Sequence, residues 1–492
     1  MRITLIIPKN GSDTEKSFYD YKFYEKFLFS KKYFSYLLAI PQLISLTPPG
    51  HEIKVFDENI ERIDFNLPVD LVGISVRTMF SHRAYEIADE YRRRGVKVVL
   101  GGIHPSMRPD EALAHCDAVV SGEAETLWAT VVKDAQDGRL KRIYKAEGYA
   151  DITANPLPVR ALLSRGKYFS DIVQTTKGCP FHCEFCSVFA YDGTKIRNKT
   201  IEQVVAEIAE INKDAGHYKK KSIFFADDNI IANRRFALRL FEALKPYKLN
   251  WSCQASINVA QDPDMLKMMK EAGCGAILIG LESVSEKNLA QMDKGVNLRY
   301  DYVESIKKIQ SHGILVHSSF ILGYDFDTKE SFDELIGFIK EANLLMPLIN
   351  ILTPFPGTKL FARLEAEGRI LHTDWSKYDA RHVVYKPALL TPEELLEGYR
   401  RVIREVYSFD AIYGKLGNYW GCDFWRQSNE VDPIKFKYRL LFAARLATLA
   451  FSGSGARARF IMKVLPKVFS RRVRVSTILT LMAYNDYACE QG

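Results

Sequence analysis

The sequence lacks a long uncharged apolar run. Within its 492 residues no stretch of about 18 such residues occurs, so a membrane-spanning helix is not expected. The start, MRITLIIPKN, places one basic residue before a short apolar run, which favours a buried strand over a secretory signal. We therefore expect a cytoplasmic protein, and its length predicts two or three domains.

Cysteine is scarce, and low-complexity segments and internal repeats are absent. A disulfide framework needs paired cysteines in a secreted chain, so the eight cysteines are not expected to form one. Three of them fall within CPFHCEFC, whereas Cys422 and Cys489 are isolated and are expected to be small buried hydrophobes. A composition of 47% apolar and 26% charged residues is typical of globular proteins.

The excess of positive charge lies at the end of the chain. The net charge is +8, and residues 431–492 carry eleven Lys and Arg against three Asp and Glu, so the rest is neutral. A basic tail suits phospholipid headgroups, an acidic partner or nucleic acid. A solvated helical surface is an equally good interpretation.

Residues 1–150 are predicted to form a Rossmann-like, doubly wound α/β domain, because Val- and Ile-rich runs alternate with helical stretches. The predicted strands are RITLIIP, EIKVFDE, LVGISV, VKVVLGG and DAVVSGE. Ligands of such sheets bind at the carboxyl ends of the strands. An aromatic and lysine-rich stretch at 18–40 is interpreted as an amphipathic insertion, and NPLPVR at 155–160 as a linker.

Residues 165–375 show a second strand–helix series. Six runs are predicted as parallel strands of a partial (β/α)6 TIM-type barrel: DIVQTT, SIFFAD, NWSCQAS, GAILIGLE, LVHSSFILG and PLINILTPF. Helices are predicted between them at 201–213, 234–244, 263–272 and 299–312. Residues 376–492 are predicted to be a basic helical extension, in which Thr391 caps a helix that has Pro392 in its first turn.

The clustered cysteines follow the first barrel strand with C-x3-C-x2-C spacing. Cys179, Cys183 and Cys186 supply three thiolates, which suit a [4Fe-4S] cluster and leave its fourth iron open to a small molecule. Structural zinc would need a fourth ligand, such as His182 in the same loop. Inert cysteines are the remaining alternative.

This loop, with aromatic Phe185 before the last cysteine, resembles the signature of the radical S-adenosylmethionine (SAM) superfamily. The resemblance implies that the open iron holds SAM through its amino and carboxylate groups. One-electron reduction, by a donor such as flavodoxin or ferredoxin, then releases a 5′-deoxyadenosyl radical that abstracts hydrogen from an unactivated carbon. The catalytic residues are left unassigned.

Later barrel segments resemble the SAM-binding segments of that superfamily. The SAM candidates, together with Phe185, are Asp227, Asp228 and Asn229, then Ser252 and Gln254, Glu282, and Gly323. Carboxylates and amides accept hydrogen bonds from an ammonium group, and a glycine permits close approach. Helix caps and core-strand positions are the competing interpretations. NILTPFPGT at 350–358 resembles the last-strand motif, or is a structural turn.

A Rossmann-like domain before such a barrel resembles the cobalamin-binding class of the superfamily. The cobalamin candidates are Ser75, Gly101, Gly102, His104, Ser121 and Gly122. The cobalt-ligating D-x-H-x-x-G motif is absent after the first strand, as it is in many members of the radical class. No G-x-G-x-x-G follows that strand, which disfavours a dinucleotide.

The basic extension resembles that of hopanoid methylases, which act on membrane lipids. An amphipathic basic surface suits peripheral contact with the inner membrane surface, and no nucleic-acid-binding module is recognisable. We therefore expect cobalamin-dependent methylation of a lipid-like substrate. The alternatives are cobalamin-independent cyclisation, coupling or rearrangement, and a non-catalytic iron–sulfur or zinc protein with an acidic partner.

Overall fold

The computed structural model describes residues 1–9, 32–213, 222–419, 444, 446–449, 455–469 and 475–490. Two parallel sheets follow each other along the chain, and helices end it. Each sheet is built from short apolar strands separated by amphipathic helices, as the alternation of the sequence predicts.

The first sheet has six parallel strands in the order β2-β1-β3-β4-β5-β6. Their bounds are Arg2–Ile7 (β1), Glu52–Asp57 (β2), Leu71–Ser75 (β3), Lys97–Gly101 (β4), Ala118–Ser121 (β5) and Ile143–Lys145 (β6). The order reverses between β1 and β3. In doubly wound sheets this switch point opens a crevice at the carboxyl ends of the strands, where ligands bind.

Helices cover both faces of this sheet. They are Ala39–Leu46 (α1), Ser81–Arg93 (α2), Ile103–Met107 (α3), Pro109–His115 (α4) and Trp128–Gln136 (α5). Two apolar clusters fill the two sides, one against α1 and α5 and the other against α2 and α4. Burial on both faces explains why the central strands read as continuous apolar runs.

The second sheet curls into a half-barrel with the strand order β14-β13-β12-β11-β10-β7. Its strands are Ser170–Val173 (β7), Ser222–Phe225 (β10), Trp251–Gln254 (β11), Cys274–Glu282 (β12), Leu315–Leu322 (β13) and Leu348–Ile351 (β14). A short antiparallel pair, Thr176–Lys177 (β8) and Arg197–Asn198 (β9), lies between β7 and β10 in the chain.

The two faces of the half-barrel differ in packing. Trp251 and Cys253 are buried, and the Trp251 ring stacks on Phe241 at 5.3 Å, so this face of β11 packs on helices. Ser252 and Gln254 alternate with them and are only half-buried. They therefore face the lumen of the half-barrel.

Most helices around the barrel begin at side-chain caps. They are Ser187–Tyr191 (α6), Ile201–Lys213 (α7), Arg234–Leu244 (α8), Pro263–Glu271 (α9), Glu286–Gln291 (α10), Tyr302–Ser311 (α11), Lys329–Glu341 (α12) and Lys359–Ala366 (α13). Asn233, Asp262 and Asp301 accept the N-terminal amides of α8, α9 and α11. The helix bounds match those expected from the sequence closely.

The carboxyl-terminal helices are Pro392–Val406 (α14), Phe409–Tyr419 (α15), Gly455–Phe469 (α16) and Val475–Glu490 (α17). Thr391 and Glu394 form the capping box of α14, which confirms Thr391 as its cap. Arg457 on α16 pairs with Asp486 on α17, and Asn485 donates to the Tyr407 carbonyl at 2.8 Å. No helix among the described ranges is long and apolar enough to cross a membrane.

The predicted fold class is confirmed, with two additions. Strand β6 and the β8–β9 pair were not expected. Of the predicted insertion, residues 18–31 lie outside the described residues, but Tyr33 forms a bridge with Tyr168 beside β7. This part of the insertion therefore docks on the barrel. Cys422 and most of residues 435–451, at the start of the basic tail, also lie outside the described residues. Cys489 is exposed, so the expectation that it is buried is wrong.

Candidate functional site

The three clustered cysteines lie on the loop between β8 and α6. The Cys179 amide donates to Gly193 at 3.2 Å, and the Cys186 amide donates to the Cys183 carbonyl at 3.1 Å. Burial raises the pKa of the Cys183 thiol to about 12 and that of Cys186 to about 11. Such thiols ionise when a cationic partner compensates for the lost water, so the donor set fits a thiolate-bound iron cluster.

No three His, Cys, Asp or Glu side chains in the described part of the chain converge as they would around one metal ion. His182, the candidate fourth zinc ligand, is exposed, and its ring lies 5.3 Å from that of Phe189.

Lys294 is a largely buried cation beside the cysteine loop that the sequence analysis did not single out. Its Nζ donates to Glu282 Oε1 at 2.5 Å and lies 5.9 Å from the centre of the Phe185 ring. Glu282, at the end of β12, has φ +65°, a left-handed conformation at a bulge of the sheet. Lys294 follows an ordinary helix end, so no periodicity or motif marks it.

Asp227 and Asp228 follow β10 and keep unpartnered carboxylate oxygens. Thr175 donates its amide and hydroxyl to Asp227 Oδ1, both at 2.9 Å, whereas Oδ2 of both aspartates is buried without a partner. Burial raises the pKa of Asp227 to about 6 and that of Asp228 to about 7. Two orphaned acceptors fit the ammonium of a bound amino acid group.

Of the other SAM candidates, some lie beside the aspartate pair in the lumen, and others contact neighbouring side chains of the protein instead. Gln254 Nε2 donates to the Asp227 carbonyl at 3.5 Å, which joins it to the aspartate pair. The Asn229 side chain instead donates to Ser256 Oγ at 3.0 Å. Gly323 has φ +103°, and the space beside it is filled by the Tyr385 hydroxyl and Leu395.

A cavity of about 370 Å³ opens at the carboxyl ends of β3, β4 and β5. The predicted Ser75, Gly101, Gly102 and Gly122 line it. Gly102 has φ +99°, and a Cβ there would lie 2.8 Å from the Val76 carbonyl oxygen. Glycine is therefore required where this loop turns along the cavity wall.

His104 and Ser121 do not line this cavity. His104 is fully buried, and its Nε2 lies 3.1 Å from the Tyr85 hydroxyl and 3.3 Å from Glu111. Trp375 Nε1 donates to the same Glu111 carboxylate at 2.9 Å. The structure thus brings His104 into a contact between the first domain and the end of the barrel rather than into the cavity.

The opposite wall of the cavity belongs to the barrel. Lys177, Tyr191 and Asp192 line it, and the Tyr191 hydroxyl donates to the Gly122 carbonyl at 2.9 Å. After burial, repulsion from Asp192 is the largest cause that raises the pKa of Asp228. The cavity of the first domain and the aspartate pair after β10 are therefore neighbours.

Three family models match the chain. The radical SAM superfamily matches residues 173–339, the B12 binding domain matches 47–132, and a domain of unknown function, DUF4070, matches 358–489. The first two matches contain the cysteine loop and the cavity glycines.

Curated relatives align over most of the chain. The bacteriochlorophyllide d C-8(2)-methyltransferase of Chlorobaculum tepidum is 35% identical over 393 residues, which are 76% of this chain and 86% of the relative. The hopanoid C-2 methylase of Rhodopseudomonas palustris is 30% identical, covering 73% of this chain and 72% of its own length.

Solved structures share the fold. OxsB, a cobalamin-dependent SAM radical enzyme, matches with a TM-score of 0.65 and 14% identity over 99% of this chain and 79% of its own. The radical SAM methyltransferase TsrM from Kitasatospora setae matches with a TM-score of 0.58 and 16% identity over 74% of this chain and 76% of its own. From its domains and its relatives, the chain belongs to the cobalamin-binding class of the radical S-adenosylmethionine superfamily.

Proposed function

We propose that the protein methylates an unactivated carbon of a hydrophobic substrate, using a [4Fe-4S] cluster, SAM and cobalamin. The observation that carries this proposal is the shared cavity, whose walls come from the strand ends of the first domain and from the segment after the cysteine loop. Methyltransferases among the relatives, and the likeness to OxsB with aqua-cobalamin and SAM bound, support it.

When bound, the cluster with SAM would supply a radical able to remove hydrogen from carbon, and cobalamin would supply the methyl group. Cys179, Cys183 and Cys186 would hold the irons. Asp227 and Asp228 offer acceptors to the SAM ammonium, and Lys294 offers a donor to its carboxylate. In the cavity, Gly101 and Gly102 allow the main chain to approach a large planar ligand.

The side chains that line the lumen of the half-barrel support the proposal of a mainly apolar substrate. Half-buried side chains lining it are Phe224, Leu278, Ile321 and Leu348, together with the polar Gln254, His317, Ser319 and Asn350. Apolar walls with a few polar groups are typical of sites for apolar ligands. The relatives named above act on bacteriochlorophyllide and hopanoids, which are large ring systems, so we propose a lipid-like, ring-containing substrate.

The exposed face of α16 supports contact with a membrane surface. Met462 is 64% exposed, and Arg459 and Lys463 are exposed on the same helix. Basic side chains around an exposed apolar residue favour a bilayer interface with anionic headgroups. The electron donor, flavodoxin or ferredoxin, stays a prediction.

The test begins with cofactor binding. Protein reconstituted anaerobically with iron and sulfide is incubated with hydroxocobalamin and desalted, and cobalt is measured against protein. About one cobalt per chain is expected. Turnover with SAM and a low-potential reductant should then form 5′-deoxyadenosine, and a hopanoid or a bacteriochlorophyllide should gain the mass of one methylene.

A Cys179→Ser/Cys183→Ser/Cys186→Ser variant is the control, since it keeps the cobalamin cavity but removes the iron ligands. Retained cluster with no bound cobalt would overturn cobalamin-dependent methylation and favour cyclisation, coupling or rearrangement. Absence of 5′-deoxyadenosine from cluster-loaded protein would favour the non-catalytic interpretation. Methylation of a small polar substrate alone would overturn the lipid-like substrate.

A further inference from the structure

A chain of ion pairs runs from the cysteine loop through α13 to Arg369, just beyond the end of that helix. Arg363 on α13 donates through Nη2 at 2.9 Å and Nε at 3.3 Å to the Glu184 carboxylate. Its Nη1 donates to Asp325 at 2.7 Å, and Arg369 Nη2 donates to the other oxygen of Asp325 at 2.6 Å. Arg363 thus bridges two carboxylates with one planar guanidinium.

Glu184 lies between Cys183 and Phe185 and is held at three points. Its amide donates to the Met292 carbonyl at 3.1 Å, and its carbonyl accepts the Leu360 amide at 2.9 Å. The carboxylate is the third point, through Arg363. Because the Cys186 amide bonds to Cys183, the position of Glu184 fixes the turn that carries both cysteines.

The network is largely shielded from solvent, and a further hydrogen bond to Asp325 supports it. The exposed fractions of the side chains are 27% for Arg363, 12% for Glu184 and 17% for Asp325. Gln291 Nε2 also donates to Asp325 at 2.5 Å, so Asp325 holds the guanidinium of Arg363 in place. A bidentate, partly buried pair is less screened by salt than an exposed one and has a defined geometry.

We propose that Arg363 is a positioning residue for the iron–sulfur cluster, acting through Glu184 to hold the Cys183–Cys186 turn. The inference rests on the proposed function, because it requires the cluster on these cysteines. Residues that orient metal ligands set both the retention of the metal and its electronic properties. Loss of the Arg363 clamp should therefore loosen the cluster, and the changed local charge should move its reduction potential.

The experiment compares full-length wild type with Arg363→Gln, Arg363→Lys and Glu184→Gln after anaerobic reconstitution. The first readout is the rate at which EDTA bleaches the cluster absorbance, and the second is the midpoint potential from an EPR-monitored redox titration. Arg401→Gln is the matched control, since Arg401 pairs with Asp333 at 3.1 Å on the exposed side of α14. The iron content per chain and the thermal melting temperature are measured for every variant.

Arg363→Gln should bleach about tenfold faster than wild type. It leaves the Glu184 charge without its partner beside the cluster, so the potential should fall. Glu184→Gln instead removes that negative charge while Arg363 keeps its pair with Asp325, so the potential should rise. Arg363→Lys keeps the charge but not the two-point geometry, so it should bleach faster with little change in potential. Arg401→Gln should match wild type in both readouts.

Equal bleaching rates and potentials in wild type, Arg363→Gln and Glu184→Gln would overturn the inference. Shifts of the same sign in the two Gln variants would also overturn it, because general loosening of the fold does not depend on which charge is removed. If Arg363→Gln does not fold, the bleaching rates and potentials of Glu184→Gln and Arg363→Lys test the inference in its place. Wild type that binds no cluster would instead overturn the proposed function.

Discussion

At the scale of single residues, His317 has an unusual environment for a titratable group. It lies on the lumen face of β13, and burial lowers its pKa to about 4, although a hydrogen bond with the Met346 main chain opposes the shift. An unfolded histidine has a pKa near 6.5. Between these values the unfolded chain binds more protons, so His317 makes the fold less stable as the pH falls from about 6.5 to 4.

Replacing His317 by Gln should therefore reduce the acid sensitivity of the apoprotein. The free-energy gain relative to wild type should be near zero at pH 7 and rise to at most about 3 kcal/mol at pH 4. Chemical unfolding at several pH values measures it, with His82→Gln as the control at a residue that is 49% exposed. A constant difference between wild type and His317→Gln across this range would contradict the expected titration.

Site residues that a sequence motif marks were predictable. Site residues that only the three-dimensional fold brings together were not. The three cysteines stand in one loop, so the sequence shows their juxtaposition directly. Lys294 reaches them because a helix end folds back beside the loop, which no local pattern encodes. His317 is one position in an alternating strand, and only the curl of the sheet turns its face into a lumen.

At the scale of elements, α12 and α14 pack closely against each other. Gly398 lies at their contact and Gly337 does not, so the two glycines have different roles. A Cβ at Gly398 on α14 would overlap the Phe332 ring of α12, whereas a Cβ at Gly337 on α12 would meet nothing within 4 Å. Neither glycine has a positive φ, so backbone strain does not enter the comparison. The two positions separate the packing role of a glycine from its entropic cost.

Gly398→Ala should destabilise the protein by about 1–3 kcal/mol, because the two helices must move apart. Gly337→Ala should stabilise it by about 0.5–1 kcal/mol, because alanine loses less backbone entropy in a helix. Thermal unfolding of the two variants beside wild type measures both. No destabilisation by Gly398→Ala would show that the contact between the helices differs from the one described. Destabilisation by Gly337→Ala would contradict the open surroundings of that glycine.

Helices and strands were predictable wherever caps and periodicity agree. The helix expected at 201–213 has those bounds in the structure, and Thr391 caps α14 as expected. Strands β8 and β9 have two residues each, which is too short for periodicity, and pairing with each other defines them. The docking of Tyr33 on Tyr168 depends on the arrangement of two domains, so local sequence could not reveal it.

At the scale of the whole molecule, a buried charge cluster joins the first domain to the barrel. Glu123 follows β5 and is 3% exposed. Arg197 on β9 donates to both of its oxygens, at 2.7 and 2.8 Å, and Lys177 on β8 lies 3.4 Å away. Burial alone would raise the pKa of Glu123, but the hydrogen bonds from Arg197 lower it overall. The strand pair that flanks the cysteine loop is thereby fixed to the domain that carries the cavity.

Glu123→Gln should destabilise the protein by about 3–5 kcal/mol, because it leaves the buried Arg197 charge without its carboxylate. It should also weaken cobalamin binding, since Lys177 lines the cavity and loses one of its two anchors. Glu86→Gln, at a carboxylate that is 65% exposed, is the control. Thermal unfolding and cobalamin titration are the measurements.

The double variant Glu123→Gln/Arg197→Gln identifies the cause of the stability loss in Glu123→Gln. If the loss comes from an unpaired buried charge, removing the second charge should recover part of the stability, and the two single effects should exceed the double effect. If the loss comes from disrupted packing, the effects should add. Additive effects together with unchanged cobalamin affinity would mean that the two domains are joined without this ion pair, and that the cavity wall keeps its shape when the pair is gone.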